Sequence, residues 1–120
     1  TRQVLELRDA ARVLSLDANA VSLPTFQGVS VLGAYPEGSE VAYEVRNLTP
    51  ASLMPEDAVT GSLIAAVAVW LRDEGRLAQE LVMAQGTAMG RKGRAFLSQR
   101  GQDVMIGGHS SIVIEGLVDL

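Results

Sequence analysis

Nine apolar residues in a row, Leu63-Ile64-Ala65-Ala66-Val67-Ala68-Val69-Trp70-Leu71, constrain the fold of this chain more than any other stretch. The run is rich in alanine and leucine, which favour helix. Directly before it stands Pro55-Glu56-Asp57-Ala58-Val59-Thr60-Gly61-Ser62, which is small, acidic and hydroxyl-bearing. The pair reads as a polar loop feeding the N-terminus of a helix over 61–74. Because its first turns are apolar on every side, the helix is expected to be buried all round. Arg72-Asp73-Glu74 marks its emergence into water, and Gly75 its C-terminal stop. At nine residues the run is far short of the roughly 20 needed to cross a bilayer, so no membrane partner is expected.

The segments around this helix read mostly as strands. Asp9 to Leu16 suits a short amphipathic helix capped by Asp9, with Asp17-Ala18-Asn19 as its exit. Val21 to Leu23 reads as a short strand stopped by Pro24. Gly28–Ala34 and Glu40–Leu48 read as a hairpin turning at Pro36-Glu37-Gly38-Ser39. Thr49 to Asp57 holds Pro50 and Pro55 and reads as a loop. Leu77–Gln85, Lys92–Arg100, Asp103–Gly107 and Ser110–Val118 are further strands, with Gly86 and Gly90 bracketing an irregular turn. Strands before and after a single all-apolar helix imply an α+β fold. The sheet should be mainly antiparallel and curled, a half-barrel wrapped around one buried central helix.

Length and composition narrow the function classes. The 120 residues suit a single domain able to bury its own core. With no cysteine there is no disulfide, thiolate metal site or cysteine nucleophile. A net charge of −4 argues against a general nucleic-acid binder. The first twenty residues lack the apolar core of a signal peptide, so a cytoplasmic location is expected and the sequon Asn47-Leu48-Thr49 is not expected to carry a glycan.

Two readings fit the junction ahead of the helix. In the first, Asp57, Thr60 and Ser62 cap the helix or an Asx-turn and Gly61 lets the chain bend. In the second, the amides of Gly61 and Ser62 and the hydroxyls of Thr60 and Ser62 grip a carboxylate. Asp57 then orients a substrate amine or hydroxyl, or serves a proton relay. The segment Glu56-Asp57-Ala58-Val59-Thr60-Gly61-Ser62 resembles the acidic-Asp-Pro-x-Thr-Gly-Ser motif of the PhzF-like isomerases, with Ala58 in place of the usual proline. Gln85-Gly86 with Met89-Gly90-Arg91 resembles the family's Gln-Gly-x-x-Met-Gly-Arg turn. Ile106-Gly107-Gly108 is similar to its late Val-Gly-Gly strand end, and Tyr43-Glu44-Val45-Arg46 to the strand leading into the Asp motif.

That resemblance implies the diaminopimelate-epimerase fold, in which two similar halves each wrap a curled sheet on a helix and share the cleft between them. This chain looks like the C-terminal half. By the same analogy Asp57 and Ser62 belong to the substrate site, with Asp57 the catalytic candidate, and Thr60 and Gly61 shape an anion pocket. Nothing here resembles the motif around the family's general acid/base, a glutamate of the N-terminal half. Epimerases of this fold that use a cysteine pair place one in each half, so the cysteine-free chain disfavours that chemistry.

The remaining candidates divide in the same way. Arg91-Lys92-Gly93-Arg94 is a basic cluster in an acidic chain; it reads as a solvated turn, or Arg91 faces the cleft and pairs with a substrate carboxylate. His109, the one histidine, reads as a surface or hydrogen-bonded residue rather than a catalyst. There is no Walker A or dinucleotide fingerprint and no metal-ligand spacing, so no cofactor and no metal are expected. Two functions follow. One is the substrate-binding half of a cofactor-independent isomerase, completed by a complementary half and acting on a small carboxylate-bearing metabolite. The other is a non-catalytic module that binds a small anion or assembles as a homodimer. The Thr start also fits a piece of a longer enzyme.

Overall fold

A computed structural model describes residues 3–20, 28–50 and 53–120. The short strand expected over Val21–Leu23 lies outside them. β1 (Gln3–Glu6) pairs in parallel with β2 (Val29–Ala34). β2 then pairs antiparallel with β3 (Tyr43–Leu48) across the turn where the Ser39 amide donates to the Pro36 carbonyl at 3.1 Å. β5 (Leu81–Gln85) lies on the other side of β3 and parallel to it. β6 (Gly93–Arg100) and β7 (Asp103–Gly107) follow by antiparallel pairing. The sheet is therefore mixed, in the order β1-β2-β3-β5-β6-β7, with the two-residue strand β4 (Glu56–Asp57) also paired to β3.

The sheet curls because one helix must touch nearly all of it. Leu32, Val45, Met83, Ala95 and Leu97, from β2, β3, β5 and β6, form one core with Leu63, Ile64, Val67, Ala68 and Leu71 of α2 (Gly61–Asp73). Val4 of β1 and Val104 of β7 pack against the same core. Six strands spaced about 4.8 Å apart are wider than a helix of about 10 Å diameter. Residues from both edges can meet α2 only if the sheet wraps it. This is the α+β curled half-barrel expected from the sequence.

Two expectations change. First, α2 is buried on one face, not all round: Ala66 is exposed and Val69 is 37% exposed. The apolar run hides the helical period because its outward positions are filled by alanine and valine, small enough to tolerate water. Second, residues 110–118 form no strand. Ile112, Val113 and Ile114 are 84–90% exposed. Their β-branched character suits a strand, but a strand exists only when paired, and no described segment lies beside them.

α1 (Ala10–Leu14) covers the other face of the sheet. Asp9 caps it by accepting from the Arg12 amide at 2.8 Å. Gly33 lets it approach: a β-carbon there would lie 2.3 Å from the Asp9 carbonyl oxygen. Arg46 of β3 secures the exit of α1. Its Nη1 donates to the carbonyls of Val13 and Leu16, while Nε and Nη2 form a two-pronged pair with Glu56 at 2.8 and 2.7 Å. At the far end of α2 the Gly75 amide donates to Arg72 and the Arg76 amide to Leu71. This is a Schellman stop, with Gly75 at φ +70°. No helix among the described residues is long and apolar enough to cross a membrane.

Candidate functional site

The short strand β4 sorts two neighbouring carboxylates to opposite faces. Glu56 pairs in register with Leu48, and Asp57 with Asn47. Successive strand residues point to opposite sides. Glu56 therefore joins Arg46 on the α1 side, buried at 6% exposure, and is a structural ion-pair partner. Asp57 turns to the α2 side and remains half-exposed. The segment read as a loop from its prolines thus contains the strand that aims Asp57. Its signal was hidden because two residues carry no periodicity.

Thr60 occupies the N-cap of α2, but its hydroxyl caps no helix amide. It donates to Asp57 Oδ2 at 2.7 Å. Gln85, at the end of β5 and 1% exposed, ties the turn together. Its Oε1 accepts from the Thr60 amide at 2.9 Å, and its Nε2 donates to the Asp57 carbonyl at 3.0 Å and to Thr60 Oγ1 at 2.9 Å. The reading of Thr60 as a side-chain cap is therefore replaced by a Gln85-locked turn. Asp57 Oδ1 takes no hydrogen bond from a described residue. Gly61 and Ser62 are exposed at the helix start, and the space beyond the Gly61 α-carbon is open to at least 4 Å.

The turn after β5 closes against this one. Gly86 has φ +84°, and a β-carbon there would lie 2.8 Å from the Ala58 carbonyl oxygen and 2.9 Å from the Arg91 β-carbon. Arg91 thus sits on the neighbouring turn, held by its amide on the Gly86 carbonyl at 2.9 Å. Its side chain is exposed and joins no ion pair among the described residues. The structure brings Asp57, Thr60, Gly61 and Ser62 together at one helix end and places the Arg91 backbone beside them. Ser30 and Asn47 adjoin Asp57 on the same face, where the Ser30 hydroxyl donates to Asn47 Oδ1 at 3.1 Å. Asn47 is 7% exposed and accepts that bond through its amide oxygen.

Sequence reasoning missed Gln85, Ser30 and Asn47 as parts of this end. A signal was present at Gln85: an uncharged polar residue closes an otherwise apolar strand, where burial demands partners. His109 stands edge-on to the Phe96 ring at 5.1 Å. No group of three or more metal-ligating side chains occurs among the described residues.

The arrangement can do two things chemically. The start of α2 presents amides with the positive end of the helix dipole, which favours an anion. A carboxylate oxygen stands beside it, held by a hydroxyl and able to accept from a substrate amine or hydroxyl. No curated protein gives a match to the chain. Residues 2–116 match the model of the phenazine biosynthesis-like proteins, PhzC-PhzF, and the chain belongs to that family.

Proposed function

We propose that this chain is the substrate-binding half of a cofactor-independent isomerase that moves a proton on a small carboxylate-bearing metabolite. The observation that carries this reading is the Gln85-locked turn, which leaves Asp57 beside the open start of α2. The amides of Gly61 and Ser62 and the hydroxyl of Ser62 take the substrate carboxylate. Thr60 keeps its hydroxyl on Asp57 and shapes the pocket. Asp57 orients the substrate amine or hydroxyl, or relays its proton. Arg91 swings from the neighbouring turn to pair with the carboxylate. A complementary N-terminal half supplies the acid/base glutamate, and the setting is cytoplasmic. The test is incubation with cyclic amino acids of the dihydro-hydroxyanthranilate type in deuterated water, with and without a separately expressed N-terminal half. Deuterium should enter the substrate only when both halves are present. Asp57→Asn should lower the rate at least tenfold, as expected for a proton-handling group. Full activity in both Asp57→Asn and Ser62→Ala would show that the roles are misassigned.

A second reading, a self-assembling module without catalysis, draws on the apolar segment 112–120. Leu117 and Leu120 are fully exposed there, along with Ile112 to Ile114. Such a stretch calls for a covering surface. Sedimentation at falling protein concentration tests it; a monomer at every concentration ends the homodimer version.

A further inference from the structure

A hollow that Asp57 does not line opens beside Val59 and β6. The β5–β6 register pairs Ala95 with Met83 and Leu97 with Leu81, all turned toward α2. Arg94 and Phe96, paired with Ala84 and Val82, therefore point to the opposite face. There they line an open hollow of about 750 Å3 together with Lys92, His109 and Val59. That volume is the usual size of a small-molecule site.

Two cations without a carboxylate partner among the described residues meet in this hollow. The chain is acidic, with 14 carboxylate side chains against 10 lysines and arginines. Arg46, Arg72 and Arg76 are each matched by carboxylates. Arg94 is not: its one hydrogen bond among the described residues runs from Nη1 to the neighbouring Gly93 carbonyl at 2.8 Å. Lys92, two residues earlier on the strand side, joins no ion pair among the described residues. Of the nearby acids, Glu44 shares this face; its Oε2 accepts from the Tyr35 hydroxyl at 2.7 Å and its Oε1 is buried without a hydrogen bond, so it pairs with neither cation. Glu40, which also lines the hollow, is exposed. The floor beside the cations is apolar, formed by the Phe96 ring, Val59 and Val82, with His109 edge-on to Phe96.

We propose that this hollow is a second binding site, separate from the α2 start, for a small organic anion with a flat apolar body. Arg94 and Lys92 hold the carboxylate or phosphate group, and the body lies on Phe96, Val59 and Val82. A guanidinium with free donors recognises either anion in a planar, two-pronged manner. An aromatic floor suits a flat partner.

Titration of the whole chain with benzoate, phenyl phosphate, inorganic phosphate and benzylamine, followed by NMR, tests this. Benzoate or phenyl phosphate should shift the Phe96 and His109 ring signals saturably, with a Kd of about 1 mM or tighter. Whichever of the two binds better identifies the anion class. Inorganic phosphate, lacking the body, should bind more weakly, and benzylamine should leave the signals in place. Arg94→Gln should weaken the binding about tenfold to a hundredfold, as loss of a charge-assisted contact requires. The exposed Lys92→Gln should weaken it less, and serves as the second variant if Arg94→Gln proves unstable. Asp57→Asn should leave it unchanged, which separates this site from the isomerase reading. The proposal is overturned by the absence of saturable shifts, by equal affinity in Arg94→Gln or, where that variant is unstable, in Lys92→Gln, or by a loss of affinity in Asp57→Asn.

Discussion

Replacing Gln85 by methionine is the most direct probe of how the candidate site is held. The substitution conserves length and apolar volume in a position that is 1% exposed, so no large cavity opens. It removes three hydrogen bonds, at 2.9, 3.0 and 2.9 Å. The consequences differ by partner. The Thr60 amide lies in a residue that is 8% exposed, and its acceptor is Gln85 Oε1. Stranding it costs about 1–3 kcal/mol. The Asp57 carbonyl belongs to a half-exposed residue and can turn to water, so it loses about 0.5–1.5 kcal/mol. Thr60 Oγ1 keeps its donation to Asp57 and adds little. Together these predict a destabilisation of about 2–4 kcal/mol, largely local to the junction of β4 and α2. Urea unfolding at fixed slope measures it, with the exposed Gln99→Met as a control expected within about 0.5 kcal/mol of wild type. Hydrogen exchange at the Thr60 and Leu63 amides should quicken more than at Leu32 or Val45. A loss below about 0.5 kcal/mol in Gln85→Met would refute the view that Gln85 locks the turn.

Other expectations follow from single contacts. Arg46→Met leaves the Glu56 carboxylate buried without its partner and frees the Val13 and Leu16 carbonyls, so thermal or urea unfolding should show a loss of about 3–5 kcal/mol. Burial and the hydrogen bond to Glu44 push the Tyr35 phenol up to about 12, while the Arg94 charge pulls the other way. A raised pKa means that the folded state holds its proton longer. The stabilisation from this group is therefore complete below pH 10 and is lost as pH rises from about 10 toward 12. Phenolate absorbance should contain this late transition, and Tyr35→Phe should abolish it. Tyr35→Phe also strands Glu44, whose Oε1 is already buried without a partner, so it should destabilise by about 1–3 kcal/mol at neutral pH. Gly33→Ala drives a β-carbon into the Asp9 carbonyl and should cost about 1–3 kcal/mol or more, whereas Gly61→Ala meets open space and should stabilise by about 0.4–1 kcal/mol in the same unfolding assay.

The legible parts of this protein were those governed by local chemistry. Asp9 before an apolar-periodic stretch, Gly75 after Arg72-Asp73-Glu74, and Pro36-Glu37-Gly38-Ser39 between two β-branched runs placed two helices and a hairpin close to where they stand. Caps and turns act within four or five residues, so the sequence window contains all their partners. Around the candidate site, Asp57, Thr60, Gly61 and Ser62 were legible as a group because they are contiguous. Gln85 is 25 residues from Thr60 and met it only through the sheet.

The less legible parts depended on partners distant in the chain. Glu56 and Asp57 are adjacent and chemically alike, yet pairing with β3 sends one to a buried ion pair and the other to the helix start. Val69 and Leu71 are equally apolar, yet the position of the sheet leaves one 37% exposed and the other fully buried. β1 became a strand because β2 was there to receive it, and residues 110–118, with stronger strand character, stayed unpaired. By itself the sequence determined that a helix forms behind a polar, anion-compatible junction, since backbone preference and capping need no distant contact. Only the tertiary structure decided which face of that helix is covered, which carboxylate is available and what holds the junction, because hydrogen bonds and burial across a sheet depend on which strands become neighbours.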